Sequence, residues 1–225
     1  MSRSAEASPE ARLARLDSCA VSDSLDKLGL PGAVTGLGAL TVQRKISGRV
    51  IAVRLAAAVA EGPAAPPAPH LGARAIERAQ PGEIIVVEQR TGIVAGSWGG
   101  VLSNGAMMRQ VAGVIAEGLV RDVDEARQLD FPVYARGSTP RTARGRVVEA
   151  ETGGEITVGD VRVRSGDFVV ADGTGVVFIG ADQIEPVLEA AERIAAREAA
   201  MTKALMDGQP VTSVMGADYE EMLKR

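Results

Sequence analysis

The sequence is poor in several side chains on which common chemistries depend. Its 225 residues hold one cysteine, Cys19. An internal disulfide, a Cys-rich zinc site and an iron–sulfur cluster are therefore impossible within one chain. His70 is the only histidine, so a poly-His zinc site is excluded and a Ser-His-Asp triad would have to use that residue. The four lysines are Lys27, Lys45, Lys203 and Lys224. A Schiff-base enzyme needs one of them buried in an active site, and none has such a context. Aromatic residues make up 3% of the chain, too few for a base-stacking platform. The net charge is −4, with both signs spread along the chain, which argues against the basic face that nucleic acid requires. No apolar run approaches the ~20 residues of a membrane span. Residues 1–10 are polar and lack the apolar segment of a signal peptide. The expected setting is cytoplasmic, with neither membrane nor nucleic acid as partner.

What is present suits a globular protein: 46% hydrophobic and 24% charged residues, on a chain long enough to bury a core without staples. Residues 11–28 read as a helix with an apolar stripe through Leu13, Leu16, Ala20, Leu25 and Leu28, open to a break at Ser22-Asp23-Ser24. Gly29 and Pro31 stop it. A glycine-rich turn over 32–38 precedes strand-like segments at 40–42 and 48–55. Residues 61–69, with four prolines, read as a loop. From His70 the pattern alternates: helix 71–78, strand 84–87, helix from Gly99-Gly100 to about 111, strand 113–116, helix 122–129, strand 133–136. Strand, helix and strand at this spacing predict a parallel βαβ sheet. Short strands follow at 145–150, 155–158, 161–164, 168–171 and 176–179, with a hairpin turn at Gly159-Asp160. A helix over 182–206 is ended by Gly208 and Pro210. No linker or internal repeat interrupts this series. The expectation is one α/β domain over 1–225, with a helical segment 11–28, a core 40–180 and a long C-terminal helix.

Three places could carry chemistry. In Ser97-Trp98-Gly99-Gly100-Val101-Leu102-Ser103-Asn104, two glycines before a helix let the backbone approach a ligand, and the first-turn amides suit a carboxylate or phosphate. A tight loop without a ligand is the alternative. In Glu117-Gly118-Leu119-Val120-Arg121-Asp122, an Arg-Asp pair follows a buried strand, where ligands gather in parallel sheets. Such a pair can clamp a carboxylate and hold a divalent cation. Equally, Asp122 with Glu125 resembles a capping box, and Arg121 a surface charge. Third, Ile184, Val187, Ala191, Ile194, Glu198, Met201 and Leu205 trace one helical stripe. Glu198 is its one charged member and needs a partner: a cation, a metal-bound water or a neighbouring subunit. An Arg–Glu pair is one alternative. A frayed helix end in water is the remaining alternative. His70 reads as a capping or packing residue more readily than as a catalyst. Asp172-Gly173-Thr174-Gly175 reads as a turn, Met107-Met108 as core and Cys19 as inert packing.

The order Gly82-Glu83…Val86-Val87, Trp98-Gly99-Gly100-Val101-Leu102 and Glu117-Gly118-Leu119-Val120-Arg121-Asp122-Val123 resembles the RraA-like family. Phe131-Pro132-Val133-Tyr134-Ala135-Arg136-Gly137, Thr139-Pro140-Arg141, Gly166-Asp167…Ala171-Asp172-Gly173-Thr174-Gly175-Val176-Val177 and the early Val21-Ser22-Asp23-Ser24-Leu25-Asp26-Lys27-Leu28-Gly29 fit as well. The resemblance spans about residues 18–208. It implies a swivelling β/β/α domain, homotrimers or paired trimers, and sites between subunits. It also implies a lyase that uses Mg²⁺ or Mn²⁺ to release pyruvate from a small 2-oxo acid. The activity would be of the 4-hydroxy-4-methyl-2-oxoglutarate / 4-carboxy-4-hydroxy-2-oxoadipate aldolase type, with oxaloacetate decarboxylase activity beside it. RraA-type members are instead non-catalytic inhibitors of ribonuclease E, and a different lyase or hydratase could use the same scaffold. Carried over, Asp122 binds the metal and Arg121 the substrate carboxylate or carbonyl. The backbone from Gly99 and Gly100 through Val101, Leu102 and Ser103 holds the pyruvyl carboxylate. Glu198 of the next subunit reaches the metal through water. One departure stands out: aldolase members commonly carry an acidic residue where this chain has Gly100. The region of His70 and the proline-rich loop also diverges, and it is expected to shape the substrate's distal end.

Overall fold

The computed structural model describes residues 7–58 and 70–216. Its central strands are β3 (Ile46–Ala57), β4 (Ile84–Glu88), β5 (Gly113–Val120) and β6 (Val133–Ser138), parallel neighbours in that order. Ile84, Ile85, Val86 and Val87 are fully buried, as a short apolar run flanked by strands on both sides should be. Successive side chains point to opposite faces, and they sort accordingly. Ile85 and Val87 join Ile51, Val53, Val114 and Ala116 in one core, with Ala75, Ala106 and Ala126 from helices α3 (Ala73–Arg78), α4 (Gly100–Met108) and α5 (Val123–Gln128). Ile84 and Val86 join Val50, Ala52 and Ile115 in a second core.

That second core is closed by more β-structure. The strands are the hairpin β8 (Glu155–Val158) and β9 (Val161–Arg164), with β10 (Phe168–Ala171) and β11 (Val176–Ile179). β10 pairs antiparallel with the start of β3, from Ile46 to Arg49, while β4 pairs with Val50–Arg54. A single long strand thus carries the sheet from one layer round into the next. β7 (Val147–Thr152) pairs with the far end of β3. The outer face of β10 and β11, with Phe168, Val170, Val177 and Ile179, meets α1 (Pro9–Leu13), α2 (Ser18–Leu28) and α6 (Ile184–Met206) in a third core. Helices, sheet, sheet and helices follow one another, each layer burying the apolar face of its neighbour.

Most expected elements form, and the β8–β9 turn falls where the turn residues put it: Gly159 takes the left-handed φ of 60° that a two-residue hairpin turn needs. The differences have local causes. The N-terminal helix breaks before Ser18, not at Ser22-Asp23-Ser24. Asp17 caps the second segment by accepting the Ala20 N–H at 2.8 Å, and Ser24 returns its hydroxyl to Val21 O within the helix. Residues 40–42 are not a strand. Short pairing by β1 (Ala33–Val34) and β2 (Gly38–Ala39) replaces it, and Thr41 Oγ1 accepts the Val133 N–H in place of a backbone carbonyl. β3 and β5 run longer than expected, so Glu117 to Val120 belong to a strand rather than to a loop. α4 stops at Met108 and α6 starts at Ile184. Residues 61–69 lie outside the described residues. No helix among the described residues is long and apolar enough to cross a membrane.

Candidate functional site

A cleft opens at the carboxyl end of β5, where the chain leaves the sheet through Arg121 and Asp122. Residues 96–98 run beside it: Ser97 N–H donates to Leu119 O at 2.7 Å and Arg121 N–H to Trp98 O at 2.9 Å. Glycine makes this approach possible. A Cβ on Gly96 would stand 3.0 Å from Arg121 Cγ, and one on Gly99 would stand 2.9 Å from an Asp122 carboxylate oxygen. The Arg-Asp pair therefore lies on a bed of bare backbone.

Asp122 adopts φ 56° and ψ 38°, a left-handed conformation that Asp tolerates better than most residues. It occupies the N-cap position of α5 but makes no side-chain cap there, so the capping-box expectation is not met. Its carboxylate turns to α4 instead, accepting the Gly100 N–H at 3.1 Å. Arg121 Nε lies 3.2 Å from the same carboxylate. Arg121 is thus a wall of the cleft, not a free surface charge.

The amides expected to hold an anion divide into two sets. Gly100 N–H is taken by Asp122, and Ser103 N–H donates to Gly99 O at 3.0 Å. Ser103 is buried and its hydroxyl turns inward, accepting from Trp98 Nε1 at 3.0 Å. Ser103 therefore fixes Trp98 beneath the cleft rather than facing it. Val101 and Leu102 remain: both line the cleft, and as second and third residues of α4 their amides lack intrahelical acceptors.

Glu198 does not line the cleft of its own chain. It sits on the outer helical layer, where burial first, then Asp17 and Asp23, push its carboxyl above the usual range. No arginine or lysine lies within ion-pair distance of it among the described residues. His70 is exposed and lines the cleft rim. Met107 and Met108 are not core: both are exposed, Met108 at 82%. Cys19 is likewise exposed, on the solvent side of an amphipathic helix. Asp172 does stand in a turn, and also accepts both the N–H and the hydroxyl of Ser18, pinning α2 to β10.

Sequence reasoning missed three residues here and gave a fourth the wrong partner. Thr142 and Arg144 line the cleft together with Arg121. Glu149, its side chain 2% exposed, accepts the Gly72 N–H at 2.7 Å and the Thr152 hydroxyl at 2.6 Å, holding the cleft wall before α3. Glu125 reaches over Gly100 and accepts from Asn104 Nδ2 at 3.0 Å. Only the Asp-x-x-Glu spacing flagged Glu125, and it pointed to the wrong partner.

The RraA-like family, described as Aldolase/RraA, matches residues 18–178. Protein DlpA of Legionella pneumophila is 26% identical over 197 residues, 88% of this chain and 31% of that protein. A Halalkalibacterium halodurans protein, provisionally named a 4-hydroxy-4-methyl-2-oxoglutarate aldolase, is 29% identical over 134 residues, 60% of this chain and 63% of that protein. The chain therefore spans less than two thirds of these relatives' length. Among solved structures, an uncharacterized Pseudomonas syringae protein superposes with a TM-score of 0.82 at 20% identity, covering 92% of this chain and 96% of that one. Streptomyces coelicolor RraAS2, described as an unusual member of the RNase ES inhibitor RraA family, gives 0.76 at 22% identity, covering 88% and 97%. Both likenesses are to the same layered α/β fold. On the family match over residues 18–178, this chain belongs to the RraA-like family and carries its β/β/α fold with a long C-terminal helix.

Proposed function

We propose that this protein is a divalent-metal-dependent lyase that cleaves a small 2-oxo acid to pyruvate. Its substrate is of the 4-hydroxy-4-methyl-2-oxoglutarate or 4-carboxy-4-hydroxy-2-oxoadipate type, and oxaloacetate decarboxylation is a side reaction. The observation that carries this reading is the convergence of Arg121, Asp122 and the amides of Val101 and Leu102 on one cleft. Relatives named as aldolases support the reaction class.

The substrate carboxylate sits on the Val101 and Leu102 amides, at the positive end of α4. Arg121 faces the C2 oxygen, where negative charge develops. In the cleavage step the C4 hydroxyl loses its proton and the C3–C4 bond breaks. C4 leaves as a carbonyl, and the electron pair of the broken bond becomes the C2–C3 enolate of pyruvate, which takes up a proton at C3. Asp122 holds Mg²⁺ or Mn²⁺. An oxygen-only donor set suits a hard cation that keeps several waters and takes further oxygens from substrate. Among the described residues no three His, Cys, Asp or Glu side chains converge on one point, so protein alone does not cage the ion. When bound, the cation supplies Lewis-acid stabilisation of the enolate. Glu198 acts across a subunit boundary in a homo-oligomer, reaching the cleft of a neighbouring copy. Its place away from its own cleft, beside two other carboxylates and without a cation, supports that assignment.

The test is pyruvate release from oxaloacetate and from 4-hydroxy-4-methyl-2-oxoglutarate, coupled to lactate dehydrogenase, with Mg²⁺ and then with EDTA. EDTA-sensitive release above the metal-only background is expected, and Asp122→Ala should abolish it. Wild-type kcat in Asp122→Ala with metal present would overturn the assignment. Release from neither substrate would remove this reading of the activity and turn the search to other substrates and to protein partners.

A further inference from the structure

The cleft holds more positive charge than a pyruvyl group needs. Among the described residues that line it, Asp122 is the one carboxylate, and Arg121 Nε lies 3.2 Å from it. Arg144 is the second cation of the lining. Among the described residues its guanidinium makes neither an ion pair nor a hydrogen bond. The Val101 and Leu102 amides serve one carboxylate and Arg121 serves the C2 oxygen, so Arg144 is surplus to both. The cleft measures about 220 Å³, below the range of about 300–1,000 Å³ common for larger ligands. A space of that size brings an acid of about six carbons near each lining side chain.

Arg144 is carried on a braced turn. Arg141 O accepts the Gly96 N–H at 2.9 Å, which ties the approach to this turn to the backbone on which Arg121 lies. Ala143 is buried in the same core as Trp98 and Leu102. Arg146 closes the turn: its N–H donates to Ala143 O at 2.8 Å and its Nη1 to Thr142 O at 3.1 Å. Gly145 takes φ 71°, the left-handed conformation that lets the chain reverse there. The fold thus sets the backbone at 144 and leaves the side chain to close on a ligand. A planar guanidinium meets a carboxylate through two parallel hydrogen bonds.

We propose that Arg144 determines the specificity of this cleft: it takes the distal carboxylate of the substrate and so selects dicarboxylic 2-oxo acids over those that end in an alkyl group. The inference rests on the lyase reading and adds the residue that reads the substrate's far end. The distal carboxylate keeps its charge while the C3–C4 bond breaks. Arg144 therefore binds ground state and transition state alike, and its contribution falls in KM.

The test compares two substrates that differ at that end alone: 4-hydroxy-4-methyl-2-oxoglutarate, and 4-hydroxy-4-methyl-2-oxopentanoate, in which a methyl group replaces the distal carboxylate. The first yields two pyruvates per turnover and the second pyruvate and acetone, so lactate dehydrogenase reads both. Wild type is expected to favour the diacid about 10-fold or more in kcat/KM, the worth of one hydrogen bond to a charged group. Arg144→Gln is expected to lower that ratio about 10-fold, through the KM of the diacid. An unchanged ratio, an equal fall with both substrates included, would overturn the role of Arg144 and leave the lyase standing. If the oligomer also loses mass in Arg144→Gln, the guanidinium belongs to a contact with a neighbouring copy instead. A loss in kcat with KM unmoved would overturn the inference by placing Arg144 at the reacting atoms. No preference for the diacid in wild type would overturn the selection itself. Pyruvate from neither acid would overturn the lyase reading, and this inference with it.

Discussion

The Arg121–Asp122 pair owes its position to what Gly96 and Gly99 lack. Gly99 has no Cβ, so Arg121 Cγ and the Asp122 carboxylate can lie on its backbone. Its φ of −155° is open to any residue, so a substitution there tests space and not strain. Gly99→Ala is expected to push the pair outward by a few tenths of an ångström. That should lower pyruvate release at least 10-fold, since small misplacements of positioning groups cost that much. The melting temperature should change little, because the cleft is solvent-facing. Unchanged kcat/KM in Gly99→Ala would show that the pair need not lie so close. The glycines themselves were legible in the sequence as a place where backbone meets ligand. Their actual neighbour was not, because Arg121 and Asp122 arrive from another strand.

At the scale of elements, the outer helical layer is fastened to the sheet by Asp172 and Ser18. Burial pushes the Asp172 carboxyl upward. The amide and hydroxyl of Ser18 and the turn amides of Thr174 and Gly175 outweigh that and hold it below its ordinary value of 3.8. The folded form thus binds this proton less readily than the unfolded chain. The stabilisation is fully present above the ordinary Asp range and is lost as pH falls through the lowered folded value. Asp172→Asn should therefore melt below wild type at neutral pH, and the gap should narrow as the pH is taken down through the acid range. A gap that stays constant with pH would place the effect in shape and not in charge. The turn at Asp172 was readable from its Gly-Thr-Gly sequel. Its bond to a serine 154 residues earlier was not, since side-chain partners that distant leave no mark in local sequence.

At the scale of the whole molecule, one group of carboxylates and the arginines of the cleft stand apart. Glu198, Asp17 and Asp23 crowd together on the outer helical layer, while Arg121 and Arg144 line the cleft. Beyond Ile194, α6 has no fully buried residue, and Met206 is 82% exposed. A homo-oligomer that brings this acidic face to a neighbour's cleft would satisfy both. Light scattering after size exclusion is expected to give a trimer or hexamer. Glu198→Gln should keep that mass while pyruvate release falls at least 10-fold. A monomer with full activity would exclude a site shared between copies.

By itself the sequence determined which chemistries were closed to this chain, the parallel strands and helices from His70 onward, and the short strands that follow. Absences are additive facts, and the periods of 2 and 3.6 residues are written locally. It also marked Arg121 and Asp122, by their place after a buried strand, and the glycines before α4, where bare backbone can come close to a neighbour. Only the tertiary structure decided which groups these residues meet. It turned Asp122 from a cap on α5 to the Gly100 amide, spent the Ser103 amide inside α4, and set Glu125 over Gly100. A carboxylate pairs with whichever donor the packed layers bring within 3 Å or so. That choice belongs to the meeting of β5, α4 and α5, not to the order of residues along any one of them.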